Sequence, residues 1–146
     1  MTEAEPPRLE LTDEPLPEDL SVIGDRLGAF NAADVGPSGR QTLAVLIRDE
    51  AGAVVGGLSG YTAWGWLFTQ WLFVPEALRG QGVAGRLLAK AEEEAAGRGC
   101  HGAWIDTFNP HALKAYQRQG YEIFGELPDF PLGRSRTFLR KRLSPR

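Results

Sequence analysis

The stretch "LRGQGVAGRL", Leu78 to Leu87, sets three glycines within six positions at the threshold of an amphipathic helix. Glycine costs about 1 kcal/mol relative to alanine inside a helix, so glycines crowded at a helix start need a reason of their own. They let the backbone turn through positive φ and let another group approach without a side chain in the way. Amides turned inward ahead of a helix N-terminus make an anion site, because first-turn N–H groups lack intrahelical acceptors and the helix dipole is positive there. A fold for this chain has to deliver such a loop between a strand and a helix.

The flanking patterns supply both. "WLFTQWLFV", Trp66 to Val74, reads as an aromatic-rich strand, entered through a turn at Trp64 and Gly65. Val83 to Gly97 reads as the helix, with Ala84, Leu87, Leu88, Ala91 and Ala95 as its buried stripe. Arg86, Lys90, Glu92, Glu93 and Glu94 fall mostly on the solvent side, and Gly97 and Gly99 mark the stop. "GAWIDTF", Gly102 to Phe108, is the next strand, so Trp66 to Phe108 is expected to form a right-handed parallel β-α-β crossover.

Around this unit, "RLELTD" (Arg8 to Asp13) alternates like a short half-buried strand. Pro17, Glu18 and Asp19 open a helix through Leu20, Ile23, Leu27 and Phe30. "TLAVLIRD" and "AVVGGLSGYT" flank an "EAG" turn as a hairpin. Asn109 caps and Pro110 starts a helix that Gly120 closes. "YEIFGEL" and "SRTFLRKRL" are the last strands, joined by "PDFPLGR". The expected order is β-α-β-β-β-α-β-α-β-β. It describes one α+β domain over residues 1–146, with residues 1–7 flexible. Its mixed, mostly antiparallel central sheet has about six to seven strands, flanked by helices.

Three nucleotide-type readings compete for the glycines. A Walker loop needs Gly-Lys-Ser/Thr at its end, and Gly85 is followed by Arg86 and Leu87. The dinucleotide fingerprint is met literally by Gly80, Gly82 and Gly85, with Asp106 near the end of the next strand. Against it, Pro75 to Arg79 separate the glycines from their strand, and too little chain follows Asp106 for a second nucleotide-binding half.

The third reading rests on a resemblance. "VPEALRGQGVAGRLLAKAEEEA" resembles the central motif of the GNAT family of acetyl-CoA-dependent N-acetyltransferases, with Arg79, Gly82 and Ala84 at its motif positions. "NPHALKAYQRQGY" is similar to the family's later helix through Asn109, Ala112, Tyr116, Gly120 and Tyr121. The resemblance implies acetyl-CoA as cofactor, with its pyrophosphate on the amides of Arg79, Gly80, Gln81, Gly82, Val83 and Ala84. It implies that the backbone of Trp71, Leu72, Phe73 and Val74 pairs with the pantetheine arm, in a slot where this strand and the Ala103–Phe108 strand splay. Asn109 and Tyr116 would be further cofactor contacts, and Tyr116 the acid for the departing thiolate. A backbone amide of the same strand would hold the developing oxyanion. Arg79 also fits a plain loop arginine, Asn109 a plain N-cap and Tyr116 a buried structural tyrosine.

Many relatives in that family carry a glutamate base on the strand before the loop. This chain has Gln70 at the corresponding position, which cannot take a proton. Asp106, Asp129 and Glu126 are substitute carboxylates, and a water relay or an amine that arrives neutral would serve equally. The resemblance therefore implies acetyl transfer to a primary amine of a small molecule or peptide. Its rivals are a non-catalytic acyl-CoA sensor, favoured by Gln70, and an NAD(P)-binding domain.

Composition narrows the partners. A net charge of −3 gives no reason to expect nucleic acid. The first residues are acidic and proline-rich, unlike a signal peptide, and no apolar run is long enough to span a bilayer; a soluble, cytoplasmic chain with no membrane partner is expected. His101 and His111 lie too far apart, with too few acids nearby, for a metal pair. Cys100 reads as packing, and Trp64, Trp66, Trp71 and Trp104 as core, with Trp64 and Trp66 as candidates for an acceptor pocket. The basic stretch Arg134 to Arg146 reads as a solvated strand face, and edge strands are compatible with a homodimer.

Overall fold

The structure is a computed structural model and describes residues 5–146. These fall into two units, one ending at Pro37 and the other running from Ser38 to Arg146. In the first, α1 (Pro17–Val35) begins on Pro17 with Glu18 and Asp19 in its first turn, where carboxylates oppose the helix dipole. It ends at Gly36, φ 89°, whose N–H donates to the Ala32 carbonyl at 2.9 Å. None of its residues is buried. The alternating segment Arg8–Asp13 forms no strand: Leu9 and Leu11 are 89% and 100% exposed. Alternation fits a strand to an edge but cannot replace the ladder partner a strand needs. The expected flexibility of residues 1–7 falls largely outside the described residues.

The second unit is a mixed sheet of six strands in the order β1-β2-β3-β4-β6-β5. β1 (Gln41–Arg48), β2 (Val54–Ala63) and β3 (Trp66–Phe73) form an antiparallel meander. β2 and β3 are joined by two residues only, Trp64 (φ 46°) and Gly65 (φ 77°), the left-handed pair of a tight hairpin turn. A short 3₁₀ turn at Glu76–Leu78 leads to α2 (Val83–Gly97), which returns the chain to β4 (Gly102–Thr107), parallel to β3. α3 (Pro110–Arg118), β5 (Glu122–Pro128) and β6 (Ser135–Arg142) complete the unit, with β6 antiparallel between β4 and β5. Apart from the absent first strand, the elements stand within a residue or two of their expected positions. Among the described residues, no helix is long and apolar enough to cross a membrane.

α2 packs its stripe on one sheet face, where Leu43, Leu58, Leu67, Ala103, Ile105 and Leu139 meet Leu87, Leu88, Ala91 and Ala95. One expectation for this helix is overturned. Glu92 is only 7% exposed, because it continues the Leu88 row one turn on. Its carboxylate accepts from Lys141 Nζ at 2.6 Å and from the Tyr121 hydroxyl at 3.0 Å, and Lys141 also donates to the Gln119 carbonyl at 2.8 Å. Cys100 is buried as expected, which raises its thiol above the ordinary range despite the lowering effect of Arg98. The opposite face carries aromatic side chains, with Phe68 and Trp104 stacked at 4.0 Å. Trp64 and Trp71 are 47% and 69% exposed and belong to no core.

Candidate active site

β3 and β4 share only four rungs, from Trp66–Gly102 to Thr69–Ile105. Beyond them each strand follows a different neighbour. β3 stays with β2, slipping past a bulge in which Gln70 has no partner between the Gly60–Thr69 and Ser59–Trp71 pairs. β4 stays with β6 through Asp106–Phe138 and Thr107–Thr137. A bulge bends its strand and adds twist, so the sheet parts at its centre, and the expected slot has a cause in the register. The same bulge reverses the facing of the residues beyond it: Leu72 and Val74 turn toward the core, and Trp71 turns away.

The slot opens into a cleft of about 1220 Å³. One wall is Leu72, Phe73 and Val74; another is the glycine loop and first turns of α2; the third is α3 from Asn109 to Gln119. Gly80 and Gly82 both have left-handed φ, 77° and 74°, and Gly82 is the N-cap of α2. A Cβ at either would meet no protein atom within 4 Å, so the left-handed conformation, not packing, is what calls for glycine at both. Gly85 is different: it is helical, and a Cβ there would lie 3.1 Å from Gln119 Oε1. The first turn of α2 carries no acidic residue, and the first amide to find an acceptor is that of Arg86, on the Gly82 carbonyl at 3.2 Å. Arg79 folds back, donating from Nε to the Val74 carbonyl at 2.9 Å, and Gln81 likewise donates to the Ala77 carbonyl at 3.1 Å. These two ties pin the loop to the strand and turn that precede it.

Charge is the feature that sequence reading missed. Arg79, Arg86, Lys114 and Arg118 line the cleft with His111, and among the described residues no carboxylate does. In a chain of net charge −3 this is a local field for an anion, focused by a helix N-terminus. The signal was present: His111, Lys114 and Arg118 succeed one another at intervals of three and four, one stripe of a helix.

Of the sequence candidates, Leu72, Phe73, Val74, Arg79, Gly80, Gly82, Val83, Ala84, Asn109 and Tyr116 are brought together around the cleft; the side chains of Trp71 and Gln81 are not part of its wall. Asn109 is a working N-cap, its Oδ1 accepting from the amides of His111 at 2.9 Å and Ala112 at 3.1 Å. Its own amide donates to Thr107 Oγ1 at 3.0 Å, which fixes the turn from β4 into α3. Tyr116 is 5% exposed. Burial first, then the charge of Asp106, pushes its hydroxyl up to about 12, so the phenol is held protonated.

The candidate bases do not converge. Gln70 is exposed at the bulge. Asp106 accepts from Arg136 Nε at 2.8 Å and is not part of the cleft wall. Glu126 lies in the wall of a smaller cavity of about 250 Å³ that shares only Thr107 and Asn109 with the main cleft. Asp129 sits in the β5–β6 loop with φ 57°.

Fold and site together define the class, an α+β domain whose cationic cleft runs into a split in its own sheet. Residues 9–121 match the acetyltransferase (GNAT) family. An acetyltransferase of Agrobacterium fabrum is 53% identical over 121 residues, which cover 83% of this chain and 88% of that protein. Blasticidin-S acetyltransferase of Streptomyces morookaense is 39% identical over 95 residues, 64% of this chain and 70% of its own length. A crystal structure of a proposed acetyltransferase from Agrobacterium tumefaciens superposes with a TM-score of 0.90 at 49% identity, covering 93% of this chain and 99% of that one. The chain belongs to the GNAT family of acetyltransferases.

Proposed function

We propose that this protein transfers an acetyl group from acetyl-CoA to a primary amine of a small molecule. The observation that carries the reading is the continuity of three features: the glycine-capped α2 N-terminus, a cleft lined by four cationic side chains and no carboxylate, and the slot between β3 and β4. A nucleotide's phosphates suit the first two, and the unpaired edge of β3 beyond Thr69 suits a peptide-like arm, which needs backbone hydrogen bonds. The bound cofactor would supply an acyl group activated as a thioester. A small-molecule acceptor is favoured by the relative whose name gives blasticidin S as its substrate.

The chain's own residues divide the work. The amides of Gly80, Gln81, Gly82, Val83 and Ala84 hold the anionic end, with Arg79 fixing the loop. Tyr116, protonated at neutral pH, hydrogen-bonds the departing sulfur. A free thiol titrates near ~8.5, so complete proton transfer to the departing thiolate from a phenol raised to about 12 would run uphill by ~5 kcal/mol. The hydrogen bond is therefore the useful contribution, and the same dry surroundings raise the sulfur's affinity for a proton as well. With no carboxylate of the described residues in the cleft wall, the ammonium sheds one proton to water before attack. As the C–N bond forms and the C–S bond breaks, the second amine proton also leaves to water and the sulfur departs as a thiolate hydrogen-bonded by Tyr116.

The test is calorimetric titration with acetyl-CoA, with NADH and ATP as controls, followed by a panel of small-molecule and peptide amines. Selective acetyl-CoA binding with turnover on a small amine supports the reading. Binding without turnover on any amine would point to a sensor, and preference for NADH would return the glycines to dinucleotide binding.

A further inference from the structure

Thr69 stands on the last rung that β3 and β4 share. It is 2% exposed, and its Oγ1 is the one buried side-chain oxygen or nitrogen without a hydrogen-bond partner among the described residues. The register explains why. Its cross-strand neighbours are Gly60 on β2, which has no side chain, and Ile105 on β4, which has no acceptor. Valine would fill the same space without a stranded donor, and a buried hydroxyl with no partner is a cost that folded proteins rarely carry.

The position gives the cost a purpose. Thr69 lies on the face that α2 covers, as do Leu67 before it and Leu72 and Val74 after the bulge. On β4 the same face carries Ile105 and then Thr107. Leu72, Val74 and Thr107 line the cleft, and Thr69 with Ile105 lies one step deeper, where the strands meet. Thr69 is not itself part of the cleft wall; an arm that parts the strands beyond the wall would meet this rung next. We propose that the Thr69 hydroxyl is the donor for the carbonyl oxygen of the bound acyl group, a contact that holds the carbonyl in place and strengthens as negative charge builds on that oxygen. This rests on the acyl-donor reading above.

The experiment compares wild type with Thr69→Val and Thr69→Ser, measuring thermal stability of the free protein, affinity for acetyl-CoA and for CoA, and turnover. In Thr69→Val the free protein melts at the same or a higher temperature, because a donor without an acceptor has been removed. The ratio of acetyl-CoA to CoA affinity shifts by about tenfold against acetyl-CoA, since only acetyl-CoA carries the acyl oxygen, and turnover falls by at least as much. Thr69→Ser restores both. A lowered melting temperature in Thr69→Val, or an unchanged affinity ratio while wild type binds acetyl-CoA, overturns the assignment and leaves the acetyltransferase reading intact. A wild-type protein that binds neither ligand overturns both.

Discussion

Gly82→Ala separates what the glycine loop does for the fold from what it does for a ligand. Gly82 is left-handed at φ 74°, and a Cβ there meets nothing within 4 Å. The free protein therefore loses only the backbone term, about 1–2 kcal/mol for an L-residue in that region. For a unit of this size that lowers the melting temperature by roughly 3–8 °C. Gly82→Asn is the control, since asparagine tolerates the left-handed region and recovers much of that loss. Both substitutions put a Cβ into the open space at the mouth of the α2 N-terminus. If a pyrophosphate lies against this backbone, both weaken acetyl-CoA by more than about tenfold, beyond 1.4 kcal/mol, whatever their stability. Gly85→Ala gains up to about 1 kcal/mol of helix propensity, less the cost of moving the Gln119 side-chain tip, and keeps the affinity. Thermal melts and calorimetry on the same preparations give both quantities. Acetyl-CoA binding by Gly82→Ala at wild-type affinity would refute the placement of the phosphates.

The same geometry leads to three further outcomes. Tyr116→Phe should lower turnover about a hundredfold with acetyl-CoA affinity unchanged within a factor of two; full-speed turnover would make the residue structural. Tyr116 also links stability to pH. Its hydroxyl is raised from 10.0 to about 12, so the stabilisation is complete below pH 10 and is lost as pH rises through the folded value, about 2–3 kcal/mol in all. Urea denaturation between pH 9 and 12 should show a shallower decline for Tyr116→Phe than for wild type, and equal slopes would contradict this; burial and Glu92 lift Tyr121 in the same direction, which leaves an alkaline decline in both proteins. Lys141→Met strands Glu92 at 7% exposure and should cost about 3 kcal/mol in denaturant titration. Adding Glu92→Leu should return most of it, and a single-variant loss below about 1 kcal/mol would mean that water reaches the carboxylate.

Much of this was readable in the residues, for reasons that can be named. The glycine loop was legible because positive φ is almost a private property of glycine. The β4–α3 junction was legible because Asn109 and Pro110 are local devices that need no distant partner. What failed depended on partners. Leu9 and Leu11 alternate as a strand should, yet no ladder receives them. Glu92 looks like its neighbours Glu93 and Glu94, and only Lys141, 49 residues away, and Tyr121 make it an interior residue. The slot was expected from resemblance alone, since the bulge at Gln70 is a matter of register between strands and leaves no mark in composition. The unpartnered Thr69 hydroxyl is invisible for the same reason: its neighbours Gly60 and Ile105 are set by pairing.

The way the sheet parts also has a mechanical consequence. β1, β2 and β3 precede β4, β5 and β6 without interleaving, so the slot divides the sheet into two consecutive pieces of chain joined by four rungs and the α2 crossover. Each piece keeps its own antiparallel ladder whatever the other does. The arm of β3 beyond the last rung, Gln70 to Phe73, is paired with β2 alone and extends ~13 Å at 3.3 Å per residue. Rotating one piece against the other by ~5° about the seam moves the tip of that arm by ~1 Å and breaks no hydrogen bond within either ladder. The seam is thus a short joint with a long lever, braced on one face by α2, whose Leu87, Leu88, Ala91 and Ala95 pack against residues of both pieces.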